Sequence, residues 1–316
     1  MASRSPDIVI TEFLEPAALK ALERDFKVRW DADLWNKRRD LEALVRDLPA
    51  LIVRNRTPVD KALIDMAPRL KVVGRLGVGL DNIDVRHCET RGVEVVSARG
   101  GNATSVAEYA IAMAMTLLRG PAYLGTERLV AGEWPREHFG RGLELAGKRL
   151  GIIGLGSIGT TTARKARALE MRVLAYDPYL PDDHESWRLA ERTPFEALLA
   201  SADVVTVHCP LTSETRGMLG AAELARMKKG AALVNSARGG IVDHKALAEA
   251  LRSGHLAGAA IDVFVDEPIR KEEGAGFAGV PNIILTPHIS GVTAEANHRV
   301  SFMTVEGVAR VLRKGR

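Results

Sequence analysis

The chain has 316 residues, 46% of them hydrophobic and 27% charged, enough for two domains that each bury a core of their own. With 44 basic and 40 acidic residues the net charge is only +4, and aromatics make up 5%, which argues against a basic nucleic-acid surface with stacking platforms. Two cysteines without zinc or disulfide spacing suit a cytoplasmic, reducing setting; no secretory leader, metal-ligand cluster or bilayer-length apolar run is evident.

Short apolar strands are predicted at 7–10, 28–30, 51–54, 71–75 and 93–96, with helical patterns at 16–24, 38–47, 59–66 and 84–91 between them. Near-continuous Val, Ile and Leu strands alternating with helices mean a parallel sheet covered on both faces. The run Arg75–Asp84 (RLGVGLDNID) follows one strand and leaves amides uncovered at Gly77 and Gly79. It reads either as an anion-binding nest or as a glycine turn capped by Asp81, Asn82 and Asp84. Arg54, Asn55 and Arg56 end the neighbouring strand, and either face the same ligand or are simply solvated.

Residues 102–121 (NATSVAEYAIAMAMTLLRGP) predict a buried helix with a capping-box pattern at Ser105 and Glu108. The weakly periodic stretch 122–148, with Trp134, reads as an arm that packs elsewhere, on another subunit for example.

Residues 149–177 then spell strand, glycine turn, helix, strand and acid. Gly154, Gly156 and Gly159 have the GxGxxG spacing of a dinucleotide site: a tight turn, a close approach to pyrophosphate, and a close helix–strand contact. The following helix offers amides and a partial positive charge to phosphates. Asp177 suits the ribose hydroxyls and argues for NAD over NADP, because a 2′-phosphate would meet its carboxylate and the next residue, Pro178, is no cation. Strands at 204–207, 231–235 and 258–262 and helices near 194–200, 221–227 and 244–252 continue a doubly wound sheet. A strand at 283–285 and a helix at 292–314 return the chain to its first part. The expected architecture is α/β, two doubly wound parallel-sheet domains. A Rossmann cofactor domain (102–284) is inserted into a flavodoxin-like substrate domain (1–101 and 285–316).

A nicotinamide cofactor moves a hydride, so the substrate needs an anchor and a proton partner. Arg238, Glu267 and His288 each follow a strand of the second half. Imidazole titrates near neutrality, a neighbouring carboxylate orients it, and a guanidinium presents a planar fork to a carboxylate. His208, before Cys209 and Pro210, ends another strand and is read as cofactor lining; Cys209 has no base partner that would make it a nucleophile.

Together GVGLDNID, NATSVAEYA, GLGSIG with the later YDP, HCPLT, NSARGGIVD, AIDVFVDEP and TPHISG resemble the D-isomer-specific 2-hydroxyacid dehydrogenase family, in its phosphoglycerate, hydroxypyruvate and sulfolactate dehydrogenase branch. The resemblance implies a catalytic set of Arg238, Glu267 and His288, with substrate held by the Val78 and Gly79 amides, Arg238 and His288; Arg54, by its place at a strand end, is the further substrate-binding candidate. It implies nicotinamide contacts from Thr104 and Asp262 and pyrophosphate contacts from Ser157 and Ile158; Pro178, His208, Cys209, Pro210, Thr215, Ala237, His288 and Gly291 complete the expected cofactor set. It also implies domain closure and a homodimer through the cofactor domain. Asn55 and Arg56 depart from the small residues common in relatives, so the substrate tail is open between phosphate, sulfonate, a second carboxylate and a plain hydroxyl. The competing expectation is a non-catalytic NAD(H)-sensing protein of the corepressor type, whose members keep the same trio.

Overall fold

A computed structural model of the chain describes residues 6–314. One unit runs to Asn102 and resumes at Val292; the other is Ala103–Gly291.

The first unit holds β1 (Ile8–Ile10), β2 (Val28–Trp30), β3 (Ala50–Val53), β4 (Val72–Arg75) and β5 (Glu94–Ser97). All pairings are parallel and the order is β2-β1-β3-β4-β5, the flavodoxin-like arrangement, with its reversal between β1 and β3. Alternation along each strand sorts the core. Ile8, Ile10, Ile52 and Val72 pack with Leu22, Val300, Val305 and Val308. Val9, Leu51, Val53 and Val73 pack with Leu41, Val45, Leu63 and Cys88 on the opposite face. Burying each such side chain contributes about 1.5–3 kcal/mol before entropy is counted. The helix Ala294–Lys314 lies so close on β4 that a Cβ at Gly74 would come within 2.6 Å of Val308.

The second unit holds β6 (Arg149–Ile153), β7 (Arg172–Tyr176), β8 (Glu191–Arg192), β9 (Val204–Val207), β10 (Ala232–Asn235), β11 (Gly258–Ile261) and β12 (Ile283–Leu285). Its order, β12-β11-β10-β9-β6-β7-β8, is the Rossmann order with one added strand, reversing between β6 and β9. Helices Ala103–Leu118 and Ser157–Ala168 cover one face through Ala110, Ala114, Leu117, Ala163 and Ala166. Helices Phe195–Ser201, Ala221–Arg226 and His244–Arg252 cover the other through Leu198, Leu224 and Leu247.

Three details depart from the sequence expectations. The helix after Asn102 begins at Ala103, so Ser105 lies inside it and Glu108 pairs with Lys165 (2.8 Å) instead of closing a capping box. The weakly periodic arm contains two short helices, Gly125–Val130 and Arg136–Phe139. Leu285 pairs with Ile261 in the second sheet, so the return crossing falls after Gly291 and not at 285.

Candidate active site

In the second unit the catalytic candidates stand beyond the carboxyl ends of β10, β11 and β12, and buried polar residues hold the turns that carry Arg238 and His288. Asn235, fully buried at the end of β10, accepts from the Ala237 amide (3.1 Å) and donates to the Arg238 carbonyl (3.1 Å), folding the turn that presents Arg238. Gly239 follows, pressed on the Phe264 carbonyl so tightly that any Cβ would overlap it. The Arg238 turn and the segment leading to Glu267 are thereby fixed against each other.

Asp262, fully buried at the end of β11, accepts from Thr286 Oγ1 (2.6 Å) and from the amides of Ile289 and Ser290 (both 2.8 Å). Its backbone carbonyl accepts from the His288 amide at 2.8 Å. These bonds wrap the 286–290 turn around one carboxylate and hold His288 at φ +55, a conformation non-glycine residues rarely adopt. Thr286 gives its own proton to Asp262, so the Tyr109 hydroxyl donates to Thr286 at 2.7 Å. Burial pushes the Tyr109 phenol up to about 12, so it remains a donor.

His288 Nδ1 meets Glu267 Oε2 at 2.6 Å, and the other Glu267 oxygen accepts from the Phe264 amide at 3.0 Å. Burial alone would raise the Glu267 carboxyl. The His288 bond, the Phe264 amide and the charges of His288 and Arg238 outweigh it and hold the group below the usual range. The two side chains keep 38% and 31% of their surface, so the pair is reachable from solvent, and Nε2 of His288 bonds no other described residue. An oriented imidazole with one free nitrogen beside a guanidinium can exchange a proton with a bound hydroxyl or carbonyl oxygen.

The glycine turn occupies the β6/β9 reversal. Gly154 has φ +92, and a Cβ there would lie 2.9 Å from the Cys209 amide nitrogen. Gly156 faces open space, and a Cβ at Gly159 would strike the Gly154 carbonyl. The 12-residue helix Ser157–Ala168 starts with no side-chain cap, leaving the amides of Ser157 and Ile158 for an anion. Asp177 accepts from the Leu155 amide (2.8 Å) and the Tyr179 amide (3.0 Å), so it also fastens the glycine turn; exposed Pro178 follows it. Burial holds the His208 imidazole down to about 3, and its Nδ1 is buried without a partner among the described residues. Burial raises Cys209 to about 11, which leaves a thiol and not a nucleophilic thiolate. Thr215 closes the following turn by donating to the Pro210 carbonyl at 2.7 Å. Thr104 is exposed in the first turn of its helix, Ala237 is buried in the Arg238 turn, and Gly291 ends the unit. The open backbone at Gly156, the uncapped helix start and the acid at the tip of β7 fit a dinucleotide.

In the first unit, the amides of Val78 and Gly79, past the end of β4, donate to no described residue. Past β3, Arg54 donates to Asn297 Oδ1 at 2.9 Å and stacks over Phe13. Desolvation, then the charge of Arg56, lowers the Arg54 guanidinium against the opposing pull of Glu12. Asn235, Thr286, Glu12 and Tyr109 were not singled out from the sequence; the first three are polar residues at or just beyond an apolar strand, while Tyr109 lies inside the helix Ala103–Leu118 and carries no such signal.

Residues 111–290 match the family model described as the NAD binding domain of D-isomer specific 2-hydroxyacid dehydrogenases. An (S)-sulfolactate dehydrogenase of Chromohalobacter salexigens is 48% identical over 307 residues, 97% of this chain and 98% of that protein. A D-3-phosphoglycerate dehydrogenase of Archaeoglobus fulgidus is 42% identical over 85% of this chain, which spans 51% of that relative's length. Among solved structures, the TT0316 protein of Thermus thermophilus superposes with a TM-score of 0.87 at 34% identity, covering 98% of this chain and 97% of that one. The chain belongs to the D-isomer specific 2-hydroxyacid dehydrogenase family. Within that family it is an NAD-dependent oxidoreductase, and these relatives support the enzyme and not the corepressor reading.

Proposed function

We propose that the chain interconverts a D-2-hydroxyacid and its 2-oxoacid with the residues just described, and that the His288–Glu267 pair at 2.6 Å is the observation that carries the assignment. NAD, held by the Gly154–Gly159 turn, the Ser157 and Ile158 amides and Asp177, supplies the hydride acceptor or donor. The rest is done by side chains. His288 Nε2 takes the hydroxyl proton in oxidation and returns it in reduction. Glu267 keeps Nδ1 engaged and stabilises the imidazolium. Arg238 and the Val78 and Gly79 amides hold the substrate carboxylate.

The sulfolactate and phosphoglycerate relatives make a three-carbon acid with an anionic group on C3 the first substrate to try. The (S) descriptor does not leave the D series: sulfur outranks the carboxyl group, so the label inverts while the arrangement at C2 does not. NADH oxidation assayed with glyoxylate, hydroxypyruvate, phosphohydroxypyruvate, sulfopyruvate and 2-oxoglutarate tests the reading. Turnover abolished by His288→Ala supports it, and turnover of none of the five by the wild type overturns it.

A homodimer through the second unit is part of the proposal. Leu124, Val130, Trp134 and Leu143 of the arm keep 55%, 84%, 79% and 47% of their surface, an apolar group that a second copy would cover. A monomer mass in sedimentation equilibrium at micromolar concentration would remove it. A cytoplasmic location is supported by two unpaired thiols, Cys88 and Cys209.

A further inference from the structure

The strand β5 lies at the edge of the five-stranded sheet and pairs with β4 alone. The amides of Glu94 and Ala98 donate to the Lys71 and Gly77 carbonyls at 2.9 and 3.0 Å, on the β4 side. Peptide groups face the two sides of a strand alternately, so those of Val95 and Ser97 point away from β4. Proteins guard such edges with charges, proline or bulges. Here the sequence Glu94–Ser97 (EVVS) offers only Glu94, which Arg310 already neutralises at 3.0 Å.

The open side of β5 borders a groove of about 440 Å³. Leu80, Val85, Val93 and Val95 line it with apolar surface, and Glu89 and Arg99 bring charge to it. Val95 packs on the sheet face that carries the helix Val85–Thr90, and Val96 packs on the opposite face. Side chains alternate along a strand, so Val93, Val95 and Ser97 share the face of that helix. The Val93 amide donates to the Cys88 carbonyl at 2.8 Å, which sets Glu89 beside the start of the strand. Arg99 stands just past its end. Both side chains are exposed, and neither has an ion-pair or hydrogen-bond partner among the described residues.

This edge is complementary to itself. A two-fold axis through Val96 sets Val95 opposite Ser97 of a second copy, and Ser97 opposite Val95 of that copy. Each pair then exchanges both of its N–H···O bonds in the antiparallel pattern. Val93 faces Arg99 of the second copy on the Glu89 side, so the free cation of each chain meets the free acid of the other. A strand without this order of charges would satisfy the peptide groups and leave Glu89 and Arg99 unmatched.

We infer that β5 is an interaction surface for a second copy of this chain. The pairing is antiparallel, β5 on β5, joins two five-stranded sheets into one continuous sheet, and takes its register from Glu89 and Arg99. Strands this short make a small interface, so the association belongs to the weak, transient class. It depends neither on the dehydrogenase reading nor on the contact proposed for the 122–148 arm.

Sedimentation velocity between about 1 and 300 μM measures it. The wild-type mass rises with concentration toward twice that of the species at the dilute end. Arg99→Glu and Glu89→Arg each turn both attractions into repulsions and lower the association constant by about tenfold or more. The double variant Arg99→Glu/Glu89→Arg restores it. Both residues are exposed, so the variants fold, and a dimer made through the arm is untouched by them. Hydrogen–deuterium exchange on the same samples shows the Val95 and Ser97 amides slowing at high concentration in the wild type and not in Arg99→Glu. A wild-type mass that stays constant over the range overturns the pairing, and is the result expected if the edge serves a strand of some other protein. Single reversals that associate as well as the wild type, or a double variant that does not recover, overturn it equally.

Discussion

Asp262 sets the stance of His288: its carbonyl holds the His288 amide at 2.8 Å, and its carboxylate holds the amides of the two residues that follow. The family resemblance casts Asp262 as a nicotinamide contact; the structure shows that its carboxylate already fastens the turn carrying the proton-transfer residue. Asp262→Asn puts an NH2 group against donors, and leaving buried amides unmatched costs about 1–3 kcal/mol. Urea denaturation should show that loss, with kcat falling more than the stability change explains, because His288 leaves its left-handed conformation. Wild-type kcat in Asp262→Asn would refute this.

Glu267 is held below the ordinary value of 4.5 by His288, the Phe264 amide and Arg238, against the upward push of burial. A lowered carboxyl stabilises the fold fully above its unfolded value and loses that contribution as pH drops through the folded value. The melting-temperature difference between wild type and Glu267→Gln should therefore be level above pH 4.5 and shrink below it. At neutral pH the same variant should lose about 100-fold in kcat/KM, because the imidazole is no longer oriented. A difference that grows on acidification would contradict the pairing.

Asp177 holds the Leu155 and Tyr179 amides at 2.8 and 3.0 Å. Asp177→Ala should weaken NAD binding by tenfold or more, since bonds to a charged acceptor are worth about 1.5–3 kcal/mol. NADP binding should fall less, because the repulsion of its 2′-phosphate goes too. Equal losses, measured by nucleotide titration, would leave Asp177 only the turn-fastening role visible in the structure.

Gly239→Ala drives a Cβ into the Phe264 carbonyl, and the backbone ahead of Glu267 must yield. Overpacking of this kind costs about 1–3 kcal/mol. The expected signature is a large fall in kcat with NADH affinity little altered, because the glycine turn at 154–159 lies elsewhere on the sheet. A fall in NADH affinity matching the fall in kcat would show that the clash propagates through the whole sheet.

Much of this was legible in the chain because parallel strands buried on both faces read as continuous apolar runs. Val204–Val207, His244–Arg252 and Ile283–Leu285 stand where the pattern puts them. The two-residue β8 is too short to carry a period, and the helix Lys271–Gly276, with two glycines in six residues, carries no apolar stripe. In the site, Arg238, Glu267 and His288 were visible as polar residues past strand ends. The part played by the residues that aim them was not, even for Asp262, which the resemblance offers only as a nicotinamide contact. Asn235 and Asp262 look like the last letters of a strand, and Glu12 like a helix-start acid, until the fold shows how many donors converge on each.

The helix Ala294–Lys314 supplies Val300, Val305, Val308 and Leu312 to one face of the first sheet, whose strands all lie before residue 98. During synthesis the five strands leave the ribosome well ahead of this helix, with the whole Ala103–Gly291 unit in between. One face of the first sheet, covered until then only by residues such as Ala18 and Leu22, therefore stays incomplete until that helix emerges, by which time the second unit can already be folded. The order of completion on the ribosome runs opposite to the order of the strands in the chain. An early stop before Ala294 should leave a folded nucleotide-binding unit attached to an aggregation-prone sheet.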